Sequence, residues 1–194
     1  PLAALARTKV VFDGEPRLRQ RPVGDLLSAL NSLGVKASSV NGYPPIEVQG
    51  RRLLGGEVVI GGTISSQHIS SLLMIAPYAE NSVSLKVIGG LHSRPYVDIT
   101  IDAMRQFGVK VNKYNHEQFT VTSGQRYRGR HYRIEGDYSS VAYFFAMAAI
   151  SQRKITVDNL NVNSVQGDRY FLDILSQMGC YVNYEAGQIQ VARE

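Results

Sequence analysis

Residues 58–77 read VVIGGTISSQHISSLLMIAP, and residues 132–151 read YRIEGDYSSVAYFFAMAAIS. Set one above the other, their apolar and hydroxyl positions coincide, with Ser65-Ser66 falling on Ser139-Ser140. The match resumes at residues 101–121, IDAMRQFGVKVNKYNHEQFTV, against residues 172–191, LDILSQMGCYVNYEAGQIQV, where Gly108 meets Gly179. Two long copies of one unit therefore run from Glu57 to Val121 and from His131 to Val191. A third, LNSLGV at residues 30–35 with Gly34 at the matching place, lacks its opening half. A repeat this long is outside the periods of the common short solenoids and reads as a large supersecondary unit used again and again.

Periodicity assigns the parts. Short β-branched runs at Val58–Ile60, Val83–Val87, Val109–Val111 and Phe119–Val121 alternate with helical stretches. The predicted order is strand, helix, strand, helix, strand, strand, an α/β class. The first helix of the middle copy is expected over about Ser65–Pro77, with Ile69, Leu72, Leu73, Ile75 and Ala76 on its apolar face. Its counterpart, Val141–Ile150, is apolar almost all round, the pattern of a helix buried on every side. It is too short for a membrane span. The second helices, Val97–Phe107 and Asp168–Met178, mix polar and apolar positions and should lie nearer the surface. Gly108 and Gly179 follow them where a left-handed C-cap is wanted.

Composition sets outer bounds. The chain of 194 residues is long enough for a sizeable core, in one or two domains. With 21 Lys and Arg against 16 Asp and Glu it is modestly basic, which suits an anionic small molecule. The stretch Arg126–Arg133, RYRGRHYR, is the densest basic and aromatic run, and it reads as a solvated linker between copies rather than a nucleic-acid surface. The single Cys180 precedes a strand with no base near it in sequence, the setting of a buried structural thiol. One cysteine cannot form an internal disulfide, which fits a reducing cytoplasm. Pro1–Ala6, PLAALA, opens on an apolar helical phrase without a start signal. With the half-copy, this reads as part of something longer.

Chemistry gathers where helices begin. Gly61-Gly62-Thr63-Ile64-Ser65-Ser66-Gln67 follows a strand and opens a helix. Glycines admit close approach, free N–H groups and the helix dipole favour an anion, and two hydroxyls with an amide add donors. The competing reading is an ordinary serine N-cap. The matching Asp137-Tyr138-Ser139-Ser140-Val141 places an acid there, so Ser139 and Ser140 read as caps only. A second cluster is Leu91–Asp98, LHSRPYVD: Pro95 suits a first helical turn with Ser93 near the cap. Tyr96 either lines a pocket or packs in the core. His92 has no companion at metal-ligand spacing, so no metal is expected. The third cluster, GEPRLRQRP at residues 14–22, holds three arginines. Arg21 is favoured as an anion ligand because Arg21-Pro22-Val23-Gly24-Asp25 repeats as Arg94-Pro95-Tyr96-Val97-Asp98, placing it at the mouth of its helix. Asp98 and Asp137 both read as helix-start residues, leaving no convincing proton-transfer pair.

GEPRLRQRPVG, GTISSQHISSLLMIAP, SRPYVDIT, EGDYSSVAYF and NSVQGD, in this order, resemble the 5-enolpyruvylshikimate-3-phosphate synthases of the enterobacterial type, and the resemblance covers essentially the whole chain. It implies enolpyruvyl transfer from phosphoenolpyruvate to the 5-hydroxyl of shikimate 3-phosphate, on the way to chorismate and the aromatic amino acids, the step that glyphosate inhibits. It also implies a cytoplasmic, monomeric whole enzyme without cofactor, metal, membrane or nucleic acid. The implied fold is two lobes of βαβαββ units, helices inside and sheets outside, here incomplete. Residues 1–133 would be most of the first lobe, and residues 134–194 one unit of the second, with a hinge near Arg133–Gly136.

By position, Ser65, Ser66, Gln67, Ser93 and Tyr96 would hold shikimate 3-phosphate, and Arg21 and Gln67 phosphoenolpyruvate. The family's catalytic acid and base and its Asn-Ala-Gly-Thr-Ala-Met-Arg motif have no match here. The chain by itself keeps binding groups but is expected not to turn over, and to be sticky where the Val141–Ile150 helix loses its partners. Two alternatives are a non-catalytic anion-binding module and the sister transferase acting on UDP-N-acetylglucosamine. The latter usually carries a loop cysteine, and Cys180 is in the wrong element for it.

Overall fold

The computed structural model describes residues 1–62, 65–185 and 187–193. Its chain divides into two compact units, Pro1–Gly129 and Arg130–Glu194.

One four-part motif occurs three times. Strand β1 (Lys9–Phe12), helix α1 (Gly24–Ser32), β2 (Lys36–Val40) and β3 (Tyr43–Gln49) form the first instance. The second is β5 (Val83–Ile88), α3 (Arg94–Gln106), β6 (Asn112–Tyr114) and β7 (Gln118–Val121). The third is β8 (Ile155–Asp158), α5 (Phe171–Gln177), β9 (Tyr181–Glu185) and β10 (Gln188–Ala192). The strand before the helix pairs with the last strand, which pairs with the middle one, giving orders β1-β3-β2, β5-β7-β6 and β8-β10-β9, all antiparallel.

Each helix ends in the same way. Gly34, Gly108 and Gly179 sit at φ +88°, +89° and +87°. The next residue's N–H donates back across the turn: Val35 to Leu30 O (3.1 Å), Val109 to Met104 O (2.9 Å), Cys180 to Leu175 O (2.9 Å). This is the Schellman cap, and the apolar pairs that accompany it are buried in all three copies. It also explains why β6 starts at Asn112 rather than at the expected Val109, which closes the cap instead.

The middle copy adds β4 (Gly56–Gly61) and α2 (Ser66–Ile75) in front, with β4 parallel to β5. Val58 and Ile60 on β4, Val83, Leu85 and Val87 on β5, and Phe119 and Val121 on β7 are buried in one core with Ile69, Leu72, Leu73 and Ile75 of α2. Alternate residues of the same strands, Val59, Lys86 and Ile88, face outward. Helices thus lie on the inner face of a sheet whose other face is open, the arrangement of one-sided sheets.

The last copy is not complete. Helix α4 (Tyr138–Ser151) is present, but residues 131–136 form no strand. Gly136 N–H donates to Asn159 O (2.7 Å), as Gly62 N–H donates to Ile88 O (2.9 Å) in the middle copy. The rest of the segment is held by side chains. Asn159 Nδ2 donates to Ile134 O (3.0 Å), Ser164 Oγ to Glu135 Oε1 (2.7 Å), and Gln166 Nε2 to Glu135 Oε1 (2.9 Å) and Gly136 O (3.0 Å). Polar clamps from the Asn159–Gln166 loop replace the ladder.

Helix α4 also departs from the expected all-round burial. Tyr138, Val141, Phe145, Ala148 and Ala149 are buried, whereas Tyr143 and Ile150 are 81% and 82% exposed and Phe144 and Met147 about half. One face packs on β8, β10 and α5 of its own unit, and the opposite apolar face is exposed. Asp137 caps this helix, accepting from Ser139 N (3.1 Å) and Ser140 N (3.2 Å). Ser139 and Ser140 are therefore the capped residues rather than the caps. Ser139 Oγ donates to Asp168, and Ser140 Oγ to Asp137 Oδ2 (2.5 Å). Cys180 is buried as expected.

The basic run is only partly solvated. Tyr127 packs on the core of the first unit, its hydroxyl donating to Met74 O (3.0 Å), and Arg128 N–H donates to Phe107 O (2.8 Å). The chain crosses between units after Gly129.

Asp98, read as a helix-start residue, serves another purpose. Its carboxylate accepts from Lys113 Nζ (2.6 Å) and lies 3.0 Å from His116 Nε2, tying α3 to the β6–β7 hairpin. Burial alone would raise its pKa, but the hydrogen bonds from Lys113 and His116 outweigh it and hold the carboxyl below the usual range. A carboxyl depressed in the folded state contributes stability above its unfolded pKa, and that contribution is lost as pH falls through the folded value. Asp98→Asn is therefore expected to cost about 1 kcal/mol at pH 7. Thermal unfolding of variant and parent should converge as pH falls below about 4, where the unfolded carboxyl protonates. An undiminished gap at low pH would show that packing, not charge, holds the hairpin.

Candidate functional site

A cleft of about 400 Å³ opens in the first unit, lined by Gly62, Ser65, Ser66, Gln67, His92, Ser93 and Tyr96. Its residues come from the end of β4, the start of α2, the turn between β5 and α3, and the first turn of α3. Thr63 and Ile64 of the glycine-rich stretch lie outside the described residues.

Gly62 is fixed by space. A Cβ there would stand 2.3 Å from Gly90 O and 2.5 Å from Val87 Cγ1, so only glycine lets the β4 end lie against the β5–α3 turn. His92 N–H donates to Gly62 O across this approach (3.3 Å). The two walls of the cleft are thereby set by backbone contact.

Ser65 is the N-cap of α2, its Oγ accepting from Gln67 N–H at 3.2 Å. The ordinary capping role is thus real, and it leaves the hydroxyl proton of Ser65 to donate elsewhere. Ser93 stands at the N-cap position of α3 in the left-handed region, φ 53°, ψ 43°, and makes no capping bond with its side chain. A non-glycine residue held there costs about 1–3 kcal/mol, a strain that gathers at functional sites. Tyr96 is exposed at 59% and lines the cleft rather than the core, settling the two readings left open by the sequence. Thr100 Oγ1 donates to Tyr96 O (3.0 Å) and can accept from Ser70 Oγ (2.8 Å), locking α3 to α2.

The first turns of α2 and α3 both border the cleft, so two helix dipoles present their positive ends to it. Among the described residues, the side chains of Ser66, Gln67, His92, Ser93 and Tyr96 make no hydrogen bond within the protein. Among the described residues, the cleft lining thus offers uncommitted donors and no carboxylate. His68, next along α2, is held below the usual histidine range by burial, with Asp25 on α1 pulling the other way.

Arg21 is not among the lining residues. It follows the short 3₁₀ turn Leu18–Gln20, and α1 begins only at Gly24, whereas Arg94 is itself the first residue of α3. The alignment that placed Arg21 at a helix mouth is therefore offset by a loop. Of the three arginines in that loop, Arg19 is taken by Asp13 in a two-pronged pair (2.7 and 2.6 Å). Arg17 and Arg21 are exposed and make no ion pair among the described residues. Sequence reasoning passed over His92 as a cleft residue. Its signal was adjacency to Ser93 at a helix start, weighed only for metal binding.

Over residues 1–194 the chain matches the family model described as EPSP synthase (3-phosphoshikimate 1-carboxyvinyltransferase). The chain belongs to the EPSP synthase family. It is 48% identical over 193 residues to the 3-phosphoshikimate 1-carboxyvinyltransferase of Methanoculleus marisnigri, covering 98% of this chain and 46% of that protein. With the protein of the same name from Methanosphaerula palustris it shares 50% over 186 residues, 95% of this chain and 44% of the relative. The solved EPSP synthase of Acinetobacter baumannii has the same fold, with a TM-score of 0.80 at 21% identity over 98% of this chain and 44% of that one. The chain thus spans less than half the length of the relatives it matches, and its α/β architecture is an incomplete EPSP synthase fold.

Proposed function

We propose that this chain carries the shikimate 3-phosphate site of an EPSP synthase, a cytoplasmic enzyme of chorismate biosynthesis. The observation that supports this best is the convergence of Ser65, Ser66, Gln67, Ser93 and Tyr96, drawn from separate stretches of sequence, on one cleft. In this reading the hydroxyls of Ser65, Ser66 and Ser93 donate to the 3-phosphate. The two helix N-termini favour its charge. Gln67 reaches both substrates, and the exposed ring of Tyr96 lies along the shikimate ring. Arg21, exposed and without an ion pair among the described residues, takes the carboxylate or phosphate of phosphoenolpyruvate.

The whole enzyme adds the 5-hydroxyl oxygen to C2 of phosphoenolpyruvate as a proton reaches C3. The resulting tetrahedral intermediate then loses phosphate and the C3 proton. Both steps need an acid and a base in the right place. The cleft holds no carboxylate, so this chain orients substrate and the remainder of the enzyme moves the protons. We assign residues 1–133 to the first lobe and residues 134–194 to one unit of the second.

Calorimetric titration of the chain with shikimate 3-phosphate tests the site. Saturable binding is expected, weakened by about a hundredfold or more in Ser65→Ala/Ser66→Ala/Gln67→Ala, since several bonds to a charged group are removed together. Circular dichroism should show the variant folded, because loss of the Ser65 cap alone costs about 1 kcal/mol. Equal binding by the variant would move the ligand elsewhere, and no binding by the folded parent would overturn the assignment.

A further inference from the structure

We infer that His92 is a phosphate ligand of this cleft, the cationic donor that its other lining side chains lack; the inference rests on the shikimate 3-phosphate reading above. The lining side chains other than His92 are hydroxyls, an amide and a phenol. A phosphate monoester carries between one and two negative charges near neutrality. Neutral donors and helix dipoles can orient such a group, but a cationic donor makes a much stronger bond to it. His92 is the lining residue able to become one. It is exposed, its ring makes no hydrogen bond among the described residues, and its own N–H anchors it to Gly62 O, the opposite wall. It directly precedes Ser93, whose left-handed backbone opens α3, so ring and hydroxyl leave the chain at one corner of the cleft.

Other charges nearby do not take over this task. On α3, Arg94 lies outside the lining, and Asp98 is occupied by Lys113 and His116. On α2, His68 lies outside the lining, and burial holds it below the usual histidine range against the pull of Asp25 of α1. Glu57 on β4 and Lys86 on β5 are on exposed strand positions.

An imidazole is the side chain that ordinarily changes charge between pH 5 and 8. Protonation favours binding of the dianion, so affinity should rise as pH falls through the histidine range. The second ionisation of the phosphate works in the opposite sense, and comparison with His92→Gln removes it because both proteins meet the same ligand.

The experiment is titration of parent and His92→Gln with shikimate 3-phosphate, and separately with shikimate, from pH 5.5 to 8. The parent is expected to bind shikimate 3-phosphate about tenfold tighter than the variant at the acid end, with the ratio closing toward one at pH 8. With shikimate the two should match at every pH. A ratio that does not change with pH would make His92 a wall residue and overturn the inference while leaving the cleft assignment intact. A His92 effect that persists with shikimate would place the imidazole on another group of the ligand and overturn it as well. No binding by the folded parent at any pH would bring down the cleft assignment and this inference together.

Discussion

Gly62→Ala should abolish binding of shikimate 3-phosphate and lower the melting temperature, although it adds a single methyl group. That methyl would meet Gly90 O at 2.3 Å and Val87 Cγ1 at 2.5 Å, and neither a backbone carbonyl nor a packed valine can swing aside cheaply. Relief requires the β4 end to move off the β5–α3 turn, stretching Gly62 N–H to Ile88 O and His92 N–H to Gly62 O. Overpacking of this kind costs about 1–3 kcal/mol. The larger consequence is geometric, since the two walls carrying Ser65–Gln67 and His92–Tyr96 would separate. A displacement of about 1 Å at such a site can cost a hundredfold in function. Gly129→Ala is the matched control, since its methyl would meet nothing within 4 Å. Titration and thermal melts of the two variants side by side read the effect. Unimpaired binding by folded Gly62→Ala would show that the walls are not set by this contact.

Phe145→Ala is expected to unfold the second unit while the first stays native. Phe145 is 1% exposed and lies in a core cluster with Tyr138, Val141, Leu160, Leu172, Leu175, Ile189 and Val191, separate from the core of the first unit. Removing a buried phenyl ring costs about 3–5 kcal/mol. A unit this small seldom holds more than about 3–5 kcal/mol of net stability. Hydrogen exchange should therefore show protection lost across β8, β9 and β10 and retained in β5 and β7. Ile150→Ser, on the uncovered face of the same helix, should change stability by less than about 0.5 kcal/mol and raise solubility. Loss of protection in both units together would show that they fold as one.

The difference between these two positions on α4 marks where sequence stopped being informative. A stretch apolar on all sides says that a helix wants burial everywhere, but not what is present to bury it. In this chain β8, β10 and α5 cover one face, and Tyr143 and Ile150 stay in solvent. The same limit applies to residues 131–136. Their likeness to the β4 stretch was visible, yet a strand needs a partner ladder, and the Asn159–Gln166 loop offers side chains in its place. Asp137 and Asp98 show it in miniature. Both were read as helix-start residues, and only the first caps a helix; the second faces Lys113 and His116 across a hairpin that no local pattern could bring near.

The sequence by itself determined the repeat, the helix and strand order of the middle copy, the glycine caps, and the phrases that mark the family. These depend on periodicity and backbone freedom within a few residues, which are local and written in the chain. Tertiary structure decided that Ser65–Gln67 and Ser93–Tyr96 share a cleft, that His92 joins them, that Arg21 stands outside its lining, and that Ser93 is held left-handed. Those outcomes follow from the close approach of Gly62 to Gly90 and from the packing of α2 against α3, contacts between residues far apart in sequence whose distances no local pattern encodes.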